Sequence, residues 1–212
     1  MSFYTVHQYV LAQGSGLERL HAFLQSQWLP AAGSRPVMIL EGVVVSPLPQ
    51  VLVVTGHASM EQAQSMSVVE PAGLSYESLA VHHLQSTAYS PLLVHSAEGA
   101  SARYFEYRLY QAANAAQMGP LHERFAGPEI PIFHRCGIHP VLYAETTAGL
   151  KMPNLVYFTP FNSLAAREAC WNTFRSDPEW VKVRTEHAAL HGPVPKSIEV
   201  AIYKAAAYSP VR

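Results

Sequence analysis

Charge is scarce in this chain of 212 residues: Asp, Glu, Lys and Arg make up 14%, where soluble domains carry about 25%. The 14 basic and 15 acidic residues nearly cancel, and Lys and Arg nowhere form a run. That excludes the electrostatic footprint of a nucleic-acid or anionic-membrane binder, which needs clustered cations. Cysteine is equally thin. Cys136 and Cys170 stand outside any Cys-x-x-Cys spacing, so they fit reduced thiols rather than a disulfide framework or a metal knot. Long apolar runs are missing too. Val51 to Val54 is strand-length, far below the roughly 20 residues of a membrane-crossing helix. The N-terminus enters a strand pattern at Phe3 with no basic segment or apolar leader before it, from which a cytoplasmic protein without a membrane span is expected. No G-x-G-x-x-G motif follows the first strand, and neither a Walker loop nor a G-x-S-x-G elbow occurs.

What the chain does have is repetition. Tyr4 to Tyr9, Leu20, His21 and Pro30 return 101 residues later as Phe105 to Tyr110, Leu121, His122 and Pro131. Pro49-Gln-Val-Leu-Val-Val-Thr55 returns as Pro153-Asn-Leu-Val-Tyr-Phe-Thr159, and Ala88-Tyr89-Ser90-Pro91 as Ala207-Tyr208-Ser209-Pro210. Units of about 100 residues are too long for a solenoid, so the reading is a tandem pair of small domains, residues 1–95 and 102–212, joined by a linker over Ser96 to Ser101. Apolar residues at 49% imply extensive burial between the halves or against another copy.

Each unit reads as β-α-β-β-α-β. In the second, strands are expected over Arg103 to Gln111, Ile138 to Glu145, Leu155 to Thr159 and Ile198 to Lys204. Its first helix carries Met118, Leu121 and Phe125 and closes at Gly127-Pro128 and Pro131. Its second helix is capped by Asn162 or Ser163, and Asp177-Pro178-Glu179 restarts it. In the first unit the strands are Phe3 to Val10, Val37 to Val45, Val51 to Thr55 and Ser78 to Gln85. There the first helix carries Leu17, Leu20, Leu24 and Trp28 and ends at Pro30, while the second is short, Met60 to Val69.

Tyr104-Phe-Glu-Tyr-Arg-Leu-Tyr110, Pro131, Cys136-Gly137, Tyr157-Phe-Thr-Pro-Phe-Asn-Ser163, Arg167 and Asp177-Pro-Glu-Trp180 resemble the NIPSNAP family. The second unit matches throughout, whereas the first lacks the Glu and Arg of the opening strand and has no Asp-Pro-Glu-Trp run. The resemblance implies an α+β chain of two tandem ferredoxin-like βαββαβ domains of the dimeric α/β barrel type, in which two sheets pair. It implies no reaction, because the family has no agreed one and no established catalytic residues. Relatives across that superfamily include oxygenases, isomerases, haem enzymes and plain binding proteins.

Strand alternation sorts the opening strand of the second unit into Phe105, Tyr107 and Leu109, expected against the helices, and Tyr104, Glu106, Arg108 and Tyr110, expected toward the barrel. Phe3, Thr5, His7 and Tyr9 are the counterparts of the second set. His7, Tyr9, Glu106, Arg108 and Tyr110 are therefore candidate lining residues for a small anionic or phenolic ligand. The alternative is that Glu106 and Arg108 pair with each other or with residues across the interface and fix subunit register. Eleven histidines are present, yet His134/His139, His187/His191 and the neighbours His82-His83, on opposite strand faces, match no metal-ligand motif. No cofactor or metal is expected. Trp171, Phe174 and Trp180 read as core.

The expected function is a small-molecule-binding or protein-interaction module that forms a homodimer. The alternative is a cofactor-independent oxygenase or isomerase acting on a small aromatic or polyketide-like molecule, positioned by Tyr110, His7 or Arg108. Barrel volume separates the two readings.

Overall fold

A computed structural model describes residues 2–14, 16–66 and 70–212. The first half contributes β1 (Phe3–Leu11), β2 (Val37–Val44), β3 (Gln50–His57) and β4 (Tyr76–Ser86), and the second β5 (Tyr104–Gln111), β6 (Leu142–Ala148), β7 (Asn154–Phe161) and β8 (Ser197–Ala205). All are antiparallel to their neighbours, in the order β1-β3-β2-β8-β5-β7-β6-β4, and the sheet closes on itself. The two junctions are between halves. Along β2 and β8, Leu40 faces Ala205 and Glu41 faces Lys204; along β4 and β6, Gln85 faces Glu145 and Ser86 faces Ala144. The pairing that the fold demands is thus met inside one chain, by edge-to-edge hydrogen bonding that leaves no free strand edge.

Closure explains the strand composition. β3 is buried along its whole length, because one face meets helices and the other the barrel interior, so Val51-Leu-Val-Val54 is apolar on both sides. The elements match the expected order, with strand ends shifted by a few residues; β6 begins at Leu142 rather than Ile138.

The first helices run past the prolines expected to stop them. In the first half α1 (Gly16–Phe23) passes through a π-type turn, Leu24–Trp28, into α2 (Leu29–Ala32). In the second, α4 (Met118–Arg124) passes through Phe125–Glu129 into α5 (Ile130–Arg135). The turn restarts the helix, which puts Pro30 and Pro131 in a first turn, where no amide hydrogen is needed. Gly127 takes non-helical angles at the kink.

The second helices differ as the sequence suggested. In the second half α6 (Leu164–Ser176) is capped by Ser163, whose Oγ accepts from Ala166 at 3.0 Å, and α7 (Pro178–His191) by Asp177, whose Oδ1 accepts from Trp180 at 3.0 Å. Among the described residues the counterpart in the first half is α3 (Met60–Gln64), capped by Ser59; Ser65 and Met66 are already non-helical, and the rest of the expected helix, 67–69, lies outside the described residues.

Three apolar clusters result. The barrel interior holds Tyr4, Val6, Leu52, Phe105, Leu109, Phe158 and Tyr203. Outside the second half, Phe125, Phe133, Tyr157, Trp171, Phe174 and Trp180 pack between strands and helices, in line with the core reading of the aromatics. Outside the first half lie Tyr9, Leu20, Leu24 and Val53. One end of the barrel is stoppered. Leu93 and Val211 join the interior cluster, and the connecting segment ties to the C-terminus through Ser96 N–H to Pro210 O (2.8 Å) and Arg212 Nε to Ala100 O (2.8 Å).

The two faces of β5 are the reverse of the expectation. Phe105, Tyr107 and Leu109 point into the barrel, whereas Glu106, Arg108 and Tyr110 point to the helices, as do Thr5, His7 and Tyr9 on β1. Alternation separates the sets without saying which is inward. The interior takes the apolar set, and Glu106 and Arg108 pair with each other and with Arg167 and Trp171 of α6.

Candidate functional site

On the outer face Glu106, 1% exposed, is clamped by Arg108 and Arg167 through their Nε atoms, and Trp171 Nε1 donates to it at 3.1 Å. The Arg108 guanidinium lies 3.7 Å from the Trp171 ring centre and donates to Tyr110 Oη at 3.3 Å, while Tyr157 Oη donates to Tyr110 Oη at 2.9 Å. Burial works against the charge on Arg108, but Tyr157, Tyr110 and Glu106 outweigh it and hold the guanidinium above its ordinary range. Both Glu106 oxygens are taken up by Arg108, Arg167 and Trp171, so the face is a fastening of α6 to the sheet. On the other half His7 is fully buried, and neither ring nitrogen has a hydrogen-bond partner. Burial first, then the nearby His83 and His57, push its pKa down to about 4. Tyr9 stacks on His7 and joins the outer core. The expected set is thus split between two outer faces, and none of the five lines the barrel.

The barrel interior has its own site. Toward the end opposite the stopper, a cavity of about 410 Å³ opens between the β2–β3 and β6–β7 loops. Such a volume suits one small ligand. Its walls are mainly Val6, Leu52, Leu84, Leu109, Val156 and Ala201. A small set of polar groups converges among them. Gln50 Oε1 accepts from Tyr203 Oη and from Gln8 Nε2 at 3.3 Å, which fixes three side chains from β3, β8 and β1. Tyr107 lines the same cavity, and its hydroxyl makes no hydrogen bond within the described residues. Burial raises both phenols above the ordinary tyrosine value, so they are neutral donors. At the mouth Lys151 pairs with Glu199 across the β6–β7 loop and β8, which leaves the cavity without net charge.

His82 stands on the β4 wall of this cavity. Its ring makes no hydrogen bond within the described residues, and burial followed by His83 lowers its pKa below the usual 6.5, so the imidazole is neutral at pH 7. Gly149 lies against it; a Cβ there would come within 2.5 Å of His82 Nδ1. Only glycine admits the ring at this place.

Sequence reasoning placed Tyr107 against the helices and passed over Gln8, Gln50 and Tyr203. One signal was available: Gln8 and Gln50 are amides at positions that share a strand face with Val6 and Leu52. His187, on α7, lies with Nε2 3.1 Å from Pro120 O of α4. Among the described residues no three His, Cys, Asp or Glu side chains are arranged to hold a metal ion. No helix of the described residues is long and apolar enough to cross a membrane.

The closed eight-stranded barrel of two ferredoxin-like halves, helices outside and cavity within, defines a protein of the dimeric α/β barrel type. The NIPSNAP family model matches residues 105–210, and the chain belongs to that family. No curated protein matches the chain by sequence. Solved structures are similar over almost the whole length. An anthrone oxidase-like protein is 13% identical, with a TM-score of 0.59, over 97% of this chain and 91% of its own. A candidate monooxygenase of Fusobacterium nucleatum is 8% identical, with a TM-score of 0.64, over 96% and 92%. A chlorite dismutase of Candidatus Nitrospira defluvii is 10% identical, with a TM-score of 0.55, over 98% and 92%. At these identities the likeness is one of fold.

Proposed function

We propose that the protein is a small-molecule-binding module whose ligand occupies the barrel. The observation that carries this reading is the cavity of about 410 Å³ in which the amides of Gln8 and Gln50 and the phenols of Tyr107 and Tyr203 converge on an otherwise apolar wall. An apolar body gains from burial there, and one or two oxygens on it find neutral donors. The paired Lys151 and Glu199 give no net field for an ion, so the ligand is uncharged. Of the anionic or phenolic ligand expected, this reading keeps the phenolic kind, since Arg108 belongs to the outer face.

The low charge content supports a homodimer as the working state. Native mass spectrometry of the purified protein measures assembly and any retained ligand together. The site is tested by fluorescence titration with 2-naphthol, a neutral aromatic alcohol of suitable size. Saturable binding at one site per chain, weakened at least tenfold by Ala201→Phe, supports the barrel; binding unaffected by that substitution contradicts it.

A further inference from the structure

Resting on that reading of the barrel, we propose that the cavity is also catalytic: His82 takes a proton from the carbon beside a carbonyl of an uncharged, largely apolar substrate, and Tyr107 donates to the enolate oxygen. Glu106 is taken up by its outer-face partners, whereas the His82 ring makes no hydrogen bond within the described residues. In the closed order β4 lies across the barrel from β8 and three strands from β5, so His82 faces Tyr107 and Tyr203 over the cavity from the opposite wall. A ligand filling the space touches a base on one side and the Tyr107 hydroxyl donor on the other. That is the arrangement enolisation needs, since the proton leaves carbon on one side while negative charge gathers on oxygen at the other.

Gln50 accepts the single Tyr203 proton, so Tyr203 is held as part of the wall beside the place the substrate oxygen would occupy, and Tyr107 supplies the free hydroxyl that donates to it. Besides these phenols, the titratable groups on the cavity wall are Lys151 and Glu199, paired with each other at the mouth, and His83 is adjacent on β4. The step balances without any partner reagent. The C–H bond breaks, and its electron pair becomes the carbon–carbon double bond of the enolate. The carbonyl π pair moves to oxygen, and the proton rests on the imidazole. Return of that proton to a different carbon gives an isomer; return from solvent to the same carbon gives hydrogen exchange. No oxidant or reductant enters.

The probe is 2-tetralone, a neutral ketone whose α-hydrogens exchange with D2O and are counted by NMR, with 2-naphthol as a planar mimic of its enol. The wild-type protein is expected to accelerate exchange over buffer. His82→Gln lowers the rate at least 100-fold while 2-naphthol affinity stays within threefold. Tyr107→Phe weakens both. The wild-type rate rises with pH to a plateau whose midpoint lies below 6.5, and this readout holds even if the His82 variant fails to fold. Binding of 2-naphthol without any exchange above buffer, or a His82→Gln protein as fast as wild type, overturns the catalytic proposal and leaves the binding reading standing. No binding of 2-naphthol overturns both.

Discussion

The Tyr89 hydroxyl lies 2.8 Å from Nδ1 of His122, in the other half of the chain, and Tyr208 repeats the contact on His21 at 2.6 Å. Behind each histidine stands a carboxylate, with Nε2 of His122 3.2 Å from Glu145 and Nε2 of His21 3.4 Å from Glu41. The neighbouring serines repeat as well: Ser90 Oγ accepts from Tyr143 N–H at 3.0 Å and Ser209 Oγ from Ile39 N–H at 2.9 Å. The duplicated Ala-Tyr-Ser-Pro segment is therefore a clasp. Each half closes its last strand by docking on the other half's first helix and second strand.

Each clasp is expected to contribute independently, because the two lie at separate junctions. Tyr89→Phe and Tyr208→Phe should each lower unfolding free energy by about 1 kcal/mol in urea titrations, and the double variant by about the sum. A deficit well beyond the sum would mean that the junctions open together.

Glu106→Gln leaves Arg108 and Arg167 without their shared carboxylate in a mostly buried place. A loss of roughly 3 kcal/mol is expected, since breaking a buried pair strands its partners. Glu168→Gln, on the exposed surface of α6, should stay within about 0.5 kcal/mol and serves as the control. Thermal and urea unfolding compare the two.

His7 makes stability depend on pH. Its folded pKa of about 4 lies below the ordinary 6.5, so between these values the unfolded chain takes up a proton that the folded chain refuses. Above pH 6.5 the group has no effect; as pH falls from 6.5 to 4 it progressively favours unfolding, by on the order of 3 kcal/mol at the lower end. Burial lowers His57 and His82 in the same direction. The test is therefore a difference: His7→Leu should flatten the fall of urea-derived stability over this window relative to wild type, and parallel curves would refute the assignment.

Filling the cavity separates binding from folding. Ala201→Phe places a ring where the wall is now a methyl group, beside about 410 Å³ of free space. Far-UV circular dichroism should be unchanged while 2-naphthol affinity drops at least tenfold. A variant that instead unfolds would show the space to be smaller than the geometry gives.

The repeat, the β-α-β-β-α-β order and the caps at Ser163 and Asp177 were readable because each rests on local signals: period, cap chemistry and duplication. Helix continuation past Pro30 and Pro131 was not, since a π-type turn has no residue signature that sets it apart from a stop. The site was hidden for a different reason. Alternation groups Glu106 with Arg108 and Tyr107 with Phe105, but the inward direction depends on what covers each face, and that depends on α6 reaching Glu106 with Arg167 and Trp171. Polar residues attracted attention on the face where they are spent. The mild amides Gln8 and Gln50 marked the face where they are not.

Closure within one chain has a genetic consequence. A barrel made of two identical subunits records every substitution twice, on opposite walls, so its lumen stays symmetric. Here each wall mutates alone. By the repeat, His82 corresponds to Ala201, Tyr107 to Val6, Tyr203 to Leu84 and Gln8 to Leu109. In each pair one member is polar and the other a hydrocarbon, so the fused chain carries a single, one-sided constellation that no homodimer of either half could build.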